Sequence, residues 1–197
     1  MTSKYVPEQA LEVMIKLQDS MNKSVNPEWI AANYAWHDAI WVECAELMDA
    51  IGYKWWKANG IKLDEAKMEV VDIYHFMLSI VISKSPTPVD YMLNGGLPCC
   101  TNNKLNKDLI LNTTRQLANF YTEGSAISSG AVEFSIVNNL CSYLGMTFDD
   151  LFESYIGKNA LNMFRQDNGY KDGKYIKMWD GREDTIVTGK QVVKSHS

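Results

Sequence analysis

At 197 residues and 22.4 kDa, the chain is long enough for a single domain with a sizeable hydrophobic core. Its net charge of −5 provides no basic footprint, which argues against a nucleic-acid partner. No apolar signal segment begins the sequence, and no apolar run reaches the length of a membrane span. We therefore expect a cytoplasmic protein with no membrane partner.

The first predicted helix covers residues 7–21. Apolar residues recur in it at the helical period, at Leu11, Met14, Leu17 and Met21. Gln18 and Asn22 lie one turn apart beside this apolar side. Their amides can either face a pocket as donors and acceptors, or form an ordinary helix end with its cap. An Asn-Pro pair at 26–27 then breaks the chain.

Two acidic pairs, Glu43 with Glu46 and Glu69 with Asp72, lie in the next two predicted helices. The members of each pair are three residues apart, which places them on one helical face. Apolar residues border both pairs at the helical period, at Ile40, Cys44, Leu47 and Ile51, then at Val70, Ile73, Met77 and Ile80. Residues 52–60 begin and end with glycine, so the helices can fold back as an antiparallel hairpin. Such a hairpin brings the four carboxylates together.

Carboxylates gathered at the edge of a core repel one another unless a cation lies among them. Oxygen ligands suit Mg²⁺, and also Mn²⁺, and Mg²⁺ commonly binds a substrate phosphate as well. A di-iron centre is an alternative, but it uses two Glu-x-x-His pairs, and only Asp72 with His75 resembles one. The remaining alternative is a solvated helix face with lysine and arginine partners.

The helix of the second acidic pair is predicted to start at an N-cap, Asp64, and to end near Ser83. His75 lies on this helix one turn after Asp72. Two interpretations of this histidine stay open from the sequence. It is either a hydrogen-bonded histidine of the core or a side chain that faces a substrate.

Residues 85–130 carry no chemistry that the sequence identifies. Three prolines predict a loop over 85–103, which is followed by a helix from Lys104 to Tyr121 and a glycine- and serine-rich break at 124–130. Another helix is predicted from Ala131 to Leu144. We interpret 85–130 as an insertion that contacts a partner protein or a second subunit.

The last predicted helix covers residues 148–166, after a stop at Gly145 and a cap at Thr147. Its side chains at spacings of four and three form one polar ridge, made of Lys158, Asn162 and Arg165. A polar, glycine-rich tail over 168–197 follows, with Lys171 and Lys174 near its start. Such a ridge and tail can bind polyphosphate, although a basic ridge can also be solvated surface.

The four cysteines show no Cys-x-x-Cys spacing, and we expect a reducing compartment. Cys44 and Cys141 lie in apolar helical runs and are predicted to be core thiols. The neighbours Cys99 and Cys100 are predicted to be incidental loop residues.

The acidic pairs resemble those of the all-α nucleotide pyrophosphohydrolases related to MazG. Four further segments resemble the dimeric dUTPases of trypanosomatids, Campylobacter and several phages: LQDSMN at 17–22, GYKWWK at 52–57, DIYHF at 72–76 and YIGKNALNMFRQD at 155–167. The similarity covers residues 11–84 and 147–184. It does not cover the middle section.

This resemblance implies an all-α, MazG-like helical bundle in one domain over residues 1–197, with 85–130 inserted. It implies Mg²⁺-dependent hydrolysis of dUTP and dUDP to dUMP, which limits uracil incorporation into DNA. It also implies a homodimer with a shared site, in the host cytoplasm if a phage encodes the chain.

The resemblance assigns a role to each candidate residue. The acids that bind two or three Mg²⁺ ions are Glu43, Glu46, Glu69 and Asp72, and Glu46 also orients or deprotonates the attacking water. Gln18 and Asn22 read the uracil edge. Trp56 stacks near the base, and Trp55 is an equally near candidate. The groups that hold the deoxyribose are His75 and Asn162. The groups that hold phosphates are Lys158, Arg165, Lys171 and Lys174.

Two alternatives to a dUTPase stay open. One is another all-α pyrophosphohydrolase, with dCTP or a broad range of nucleotides as its substrate. The other is a dUTPase-derived regulatory protein that binds a repressor through residues 85–130.

Overall fold

The computed structural model describes residues 3–98, 105–179 and 182–184. Within them the chain forms eight α-helices: α1 (Pro7–Val25), α2 (Trp36–Ala50), α3 (Leu63–Lys84), α4 (Pro88–Asn94), α5 (Lys107–Thr122), α6 (Gly124–Ser129), α7 (Phe134–Tyr143) and α8 (Phe148–Asp167). A short antiparallel strand pair follows, β1 (Met178–Trp179) and β2 (Arg182–Glu183). The predicted all-α fold class is confirmed.

Helix α3 lies at the centre and packs against α1, α2, α4, α7 and α8. Most side chains from Val70 to Val81 are buried, as expected for a helix that is surrounded on all sides. A continuous apolar cluster takes side chains from α1 to α5, from α7 and from α8. Cys44 and Cys141 are buried thiols of this cluster, as predicted, whereas Cys99 and Cys100 lie outside the described residues.

The N-terminus of α8 forms as the sequence predicts. The hydroxyl of Thr147 accepts a hydrogen bond from the backbone N–H of Asp150, whose carboxylate accepts one from the backbone N–H of Thr147. The prediction for α3 was wrong by two residues, because its N-cap is Lys62 rather than Asp64. The backbone N–H of Lys62 donates to the carbonyl of Ala50 at 2.9 Å, and this contact fixes where the chain enters the helix. Asp64 instead lies in the first turn, where its charge favours the positive helix end.

Residues 85–130 are more helical than the sequence predicts. The expected loop contains α4, which packs against α1 and α3, and the expected break contains α6. Serine hydroxyls stabilise α6 by donating to backbone carbonyls, and Gly130 ends it at φ 64°. Helix α5 begins at Lys107, three residues later than predicted, after a cap at Asn106. This section therefore packs on the helices that carry the acidic pairs.

Helix α8 ends at Asp167, and the polar, glycine-rich segment after it does not continue the helix, as predicted. Gly169 and Gly173 take φ values of 85° and 69°, which glycine adopts without steric strain. The strand pair then returns the backbone so that the N–H of Asp184 donates to the carbonyl of Lys177 at 2.9 Å. The predicted tail beyond residue 184 lies outside the described residues. Across the described segments, no helix has both the length and the apolar character needed to cross a membrane.

Candidate active site

Three carboxylates meet where α2 packs against α3. Glu43, Glu69 and Asp72, called the acidic trio below, each place a carboxylate oxygen within 4.8 Å of the other two. Helix α2 supplies Glu43, and α3 supplies the other two from one face because they are three residues apart. Glu46, the fourth acid predicted here, is exposed one turn further along α2 and lies outside the trio.

Burial and mutual repulsion favour protonated carboxyls in the trio. The pKa of Glu43 is raised to about 8, first by burial and then by the charges of Asp72, Glu46 and Glu69. The pKa of Glu69 is raised to about 7, again first by burial and then by Asp72 and Glu46. Burial also raises the pKa of Asp72, against the opposing effect of Lys158. Near neutral pH the trio therefore holds protons that a cation can replace.

The basic ridge of α8 faces the acidic trio. The Nζ of Lys158 lies 2.7 Å from Oδ2 of Asp72, and the two side chains are 9% and 16% exposed. The charges of Arg165 and Lys177 also lower the pKa of Asp72. The sequence did not predict that Lys177 lies near this site. Lys177 follows a non-helical segment, so helical spacing cannot indicate its position. Acids and cations thus lie on opposite sides of one site.

Arg165 contacts a residue that no sequence pattern indicated. Its Nε and Nη2 donate to the two carboxylate oxygens of Asp184, at 2.9 and 2.6 Å. Its Nη1 donates to Oδ1 of Asn162 at 3.3 Å, so two members of the predicted ridge are in contact. Asp184 lies 19 residues after Arg165, beyond any spacing that a helix would reveal.

The two other predicted phosphate ligands are exposed. The Nζ of Lys171 donates to the carbonyl of Val25 at 2.7 Å, next to the end of α1. The Nζ of Lys174 lies 3.8 Å from a carboxylate oxygen of Asp172. The structure therefore places both lysines on the tail beside α8 and α1, without contact to the acidic trio in the described residues.

The predicted base-stacking tryptophans lie on the exposed connection between α2 and α3. Trp55 is 89% exposed and Trp56 60%, and their rings meet edge to face at 5.6 Å. The ring of Trp56 also contacts Tyr53. A cavity of about 330 Å³ lies beside them, lined by Asp49, Lys54 and residues 57–62. No member of the acidic trio lines this cavity.

Gln18 lies at the centre of a buried polar network between α1, α3 and α8. Its Nε2 donates to Asn22 Oδ1 at 3.1 Å and to Ser79 Oγ at 3.0 Å. Its Oε1 accepts from the hydroxyl of Tyr155 at 2.6 Å and from Nδ1 of His75 at 2.7 Å. Both hydrogens and both lone pairs of this amide are therefore used. These five residues are called the amide network below.

Asn22 has hydrogen-bonding capacity left in this network. Its Nδ2 donates to Ser79 Oγ at 2.9 Å, and its Oδ1 accepts from Gln18. An asparagine amide allows two donations and two acceptances, so within the described residues one of each is unused. The roles of Ser79 and Tyr155 were missed, although Ser79 lies one turn after His75 and Tyr155 one turn before Lys158.

His75 is a buried, neutral histidine with an unused acceptor. Its Nδ1 carries the proton, because its partner Gln18 Oε1 can only accept. Burial and the charge of Lys158 lower the pKa of His75 to about 3. The ring stacks on Tyr155 at 3.9 Å, and its buried Nε2 has no hydrogen-bond partner among the described residues. This lone pair is available to a ligand hydroxyl.

The trio and the network form one continuous arrangement along α3 and α8. Asp72, His75 and Ser79 follow one another at three- and four-residue spacings, and Tyr155 and Lys158 do the same on the facing helix. One end supplies carboxylates and cations, and the other supplies amide groups. A nucleotide needs both kinds of group, the first for its phosphates and the second for its base and sugar.

Comparison with known proteins agrees with this chemistry. The family model described as dUTPase matches residues 10–170, a span that includes the acidic trio, the amide network and all of α8. Comparison with curated proteins gave no match. Since the family match covers most of the chain and the fold is all-helical, the protein belongs to the dUTPase family and is a dUTP diphosphatase.

Proposed function

We propose that this protein hydrolyses both dUTP and dUDP to dUMP in a Mg²⁺-dependent reaction, and thereby limits uracil incorporation into DNA. The observation that carries the proposal is the acidic trio facing Lys158 at 2.7 Å, with the amide network one turn further along the same helices. A triphosphate fits one part of this arrangement, and a nucleoside fits the other.

The acidic trio has the chemistry that a hard divalent cation requires. All its donors are carboxylate oxygens, and burial first and their mutual repulsion second raise the pKa values of Glu43 and Glu69. Glu43, Glu69 and Asp72, joined by Glu46, would hold Mg²⁺, with Mn²⁺ as a substitute. When bound, the metal neutralises these acids, attracts the phosphate oxygens and makes water more acidic.

The polar residues of α8 and the tail neutralise the phosphates. Lys158 pairs with Asp72 in the structure, and an ammonium group can pair equally with a phosphate oxygen. Once Asp72 has another counter-ion, Lys158 binds the phosphate instead. Arg165 adds a guanidinium charge on the same ridge, and Lys171 and Lys174 add charge from the tail. These cations stabilise the charge that develops as the bond to the leaving phosphate breaks.

Glu46 is the proposed general base. It is exposed one turn from Glu43 on α2, where it can reach solvent water beside the trio. The water oxygen forms the new bond to phosphorus, the bridging P–O bond breaks, and Glu46 accepts the proton of the water. Pyrophosphate leaves from dUTP, and inorganic phosphate leaves from dUDP.

The amide network selects the nucleoside. Asn22 offers one donor and one acceptor to the uracil edge, and Gln18 fixes its orientation by the bond to Oδ1. The buried Nε2 of His75 accepts from a deoxyribose hydroxyl, which satisfies an otherwise unpartnered group, and Asn162 assists. Trp56, with Trp55 as the alternative, stacks near the base.

The proposed assembly is a homodimer. Trp41 and Val42 of α2 are 49% and 45% exposed, and they form an apolar surface on the helix that carries Glu43. A second copy that covers this face would exclude water near the site. Molar mass in solution, measured by light scattering, tests this point, and a monomer at assay concentration would contradict it.

A second candidate function, binding of a repressor, concerns residues 85–130. Leu93, Leu109 and Ile127 are large apolar side chains of this section with exposed surface. In this proposal the chain is a dUTPase-derived regulatory protein, and a repressor covers these side chains. A variant with these three residues changed to serine should keep dUTP turnover and lose partner binding.

The decisive experiment is a nucleotide panel. Purified protein is incubated with dUTP, dUDP, dCTP, dTTP and UTP, with Mg²⁺, with Mn²⁺ or with chelator, and phosphate and pyrophosphate are measured. We expect turnover of dUTP and dUDP that needs the divalent ion. A preference for dCTP, or comparable turnover of all the nucleotides, would instead support another pyrophosphohydrolase of the same fold.

A further inference from the structure

The most enclosed ion pair at the site involves a residue of the C-terminal segment. Asp184 accepts from Nε of Arg165 at 2.9 Å and from Nη2 at 2.6 Å, and the two side chains are 3% and 9% exposed. The hydroxyl of Tyr175 donates to the same carboxylate at 2.9 Å. Two parallel bonds of this kind fix the plane of a guanidinium as well as its position.

The guanidinium of Arg165 is held from other directions too. Its Nη1 donates to Asn162, and its Cζ lies 5.9 Å from the centre of the Tyr170 ring. A buried ion pair is weak evidence for a role in stability, since removing two charges from water offsets much of their attraction. An orienting role explains why so many contacts meet at one side chain.

The location of Arg165 connects this pair to the phosphate-binding part of the site. It lies two helical turns after Lys158, nearly in line with it on α8, and Lys158 contacts Asp72. The family match ends at residue 170, so Asp184 and Tyr175 lie beyond what it describes.

We propose that Asp184 is a positioning residue that presents Arg165 to the phosphate chain of the substrate, which makes Asp184 and its partner Tyr175 part of the active site. This inference rests on the phosphate-binding role proposed for Arg165. Asp184 holds the Nε–Nη2 edge of the guanidinium, and Asn162 contacts its Nη1. Orientation before binding reduces the conformational entropy lost when phosphate binds.

The test combines Asp184→Asn, Arg165→Ala and the double variant, each assayed for KM and kcat with dUTP. Asparagine keeps the shape of aspartate but has no charge, and an NH₂ group replaces one acceptor oxygen, so it cannot make the same two parallel bonds to the guanidinium. We expect Asp184→Asn to raise KM for dUTP about tenfold, the range of one charged hydrogen bond, with a smaller change in kcat. Affinity for dUMP should change less than twofold.

Glu153→Gln is the matched control. Glu153 also lies on α8 and also accepts from a cation and a tyrosine, Lys4 at 2.8 Å and Tyr5 at 3.0 Å, but at the opposite end of the helix. The KM of Glu153→Gln for dUTP should equal that of the wild type. Tyr175→Phe is a milder variant that keeps Asp184, and we expect a two- to threefold rise in KM. If Asp184→Asn does not fold, the KM of Tyr175→Phe tests the positioning role in its place.

The double variant separates positioning from a general structural effect. If Asp184 acts through Arg165, Asp184→Asn adds no further rise in KM to Arg165→Ala. Suppose that the KM rises for Arg165→Ala but stays constant or falls for folded Asp184→Asn. That result overturns the positioning role alone, and Tyr175→Phe takes the place of Asp184→Asn if the latter does not fold. An unchanged KM for Arg165→Ala overturns the phosphate-binding role of Arg165 and this inference with it, but leaves metal-dependent hydrolysis standing.

Discussion

The acidic trio should make the metal-free protein less stable than a variant that lacks one of its acids. The pKa of Glu43 is 4.5 without the fold and about 8 within it, so the folded protein holds a proton that the unfolded chain releases. Metal-free stability therefore falls as the pH rises from about 4.5 to about 8. Glu43→Gln removes this loss, because its amide stays neutral at every pH in that range.

The structure sets the magnitude of this effect. One pKa unit corresponds to about 1.4 kcal/mol, so the rise from 4.5 to about 8 gives an upper bound of about 5 kcal/mol. The half-buried side chain can turn towards water, and Glu69 shares the repulsion, so we expect roughly 2 kcal/mol. For a chain of this length that raises the Tm of Glu43→Gln by about 4 to 8 °C at pH 8.

The assay is thermal unfolding in chelator at pH 5 and at pH 8, followed by the same scans with Mg²⁺. Glu43→Gln should unfold at a higher temperature than the wild type at pH 8, the difference should shrink at pH 5, and Mg²⁺ should stabilise the wild type more. Glu65→Gln is the control, since this exposed residue of α3 pairs with Lys62 on the surface and should change stability by less than about 0.5 kcal/mol. Equal or lower stability of Glu43→Gln at pH 8 would refute the reasoning.

Three further predictions concern binding and turnover. Mg²⁺ affinity, measured by calorimetry, should rise between pH 6 and pH 8. The reason is that Glu43 and Glu69, with pKa values of about 8 and 7, must release protons before they bind the ion. A constant affinity would contradict this. Glu46→Gln should reduce kcat by about a hundredfold or more while nucleotide binding persists, and full turnover would exclude it as the base. Asn22→Ala or Gln18→Ala should weaken the preference for dUTP over dCTP, whereas unchanged discrimination would remove the amides from uracil recognition.

Local patterns in the sequence predicted the parts of the fold that depend on neighbouring residues. The capping box at Thr147 involves residues three apart, and the hairpin of α2 and α3 follows from two amphipathic runs. Because this hairpin joins consecutive helices, the sequence also predicted that Glu43, Glu69 and Asp72 lie together. The exposure of Glu46 was not predicted, because spacing alone does not show which edge of a helix the next one covers.

Contacts between distant residues could not be predicted in this way. The amide network joins Gln18 to Ser79 and Tyr155, at sequence separations of 61 and 137, and its geometry depends on how three helices cross. The pair of Arg165 with Asp184 depends on turns whose directions no periodic pattern describes. The domain assignment over residues 1–197 stays a prediction.

The chain distances within the site have a consequence for the order in which it forms during folding. The acids lie on two consecutive helices, and closing the connection between them loses little chain entropy. The hydrogen bond from Tyr155 to Gln18 must close a segment of 137 residues, so it forms late in a chain that folds from local contacts outward. A chain whose α8 is still inside the ribosome would thus contain the acidic hairpin before Lys158 can pair with Asp72 and before Tyr155 completes the amide network.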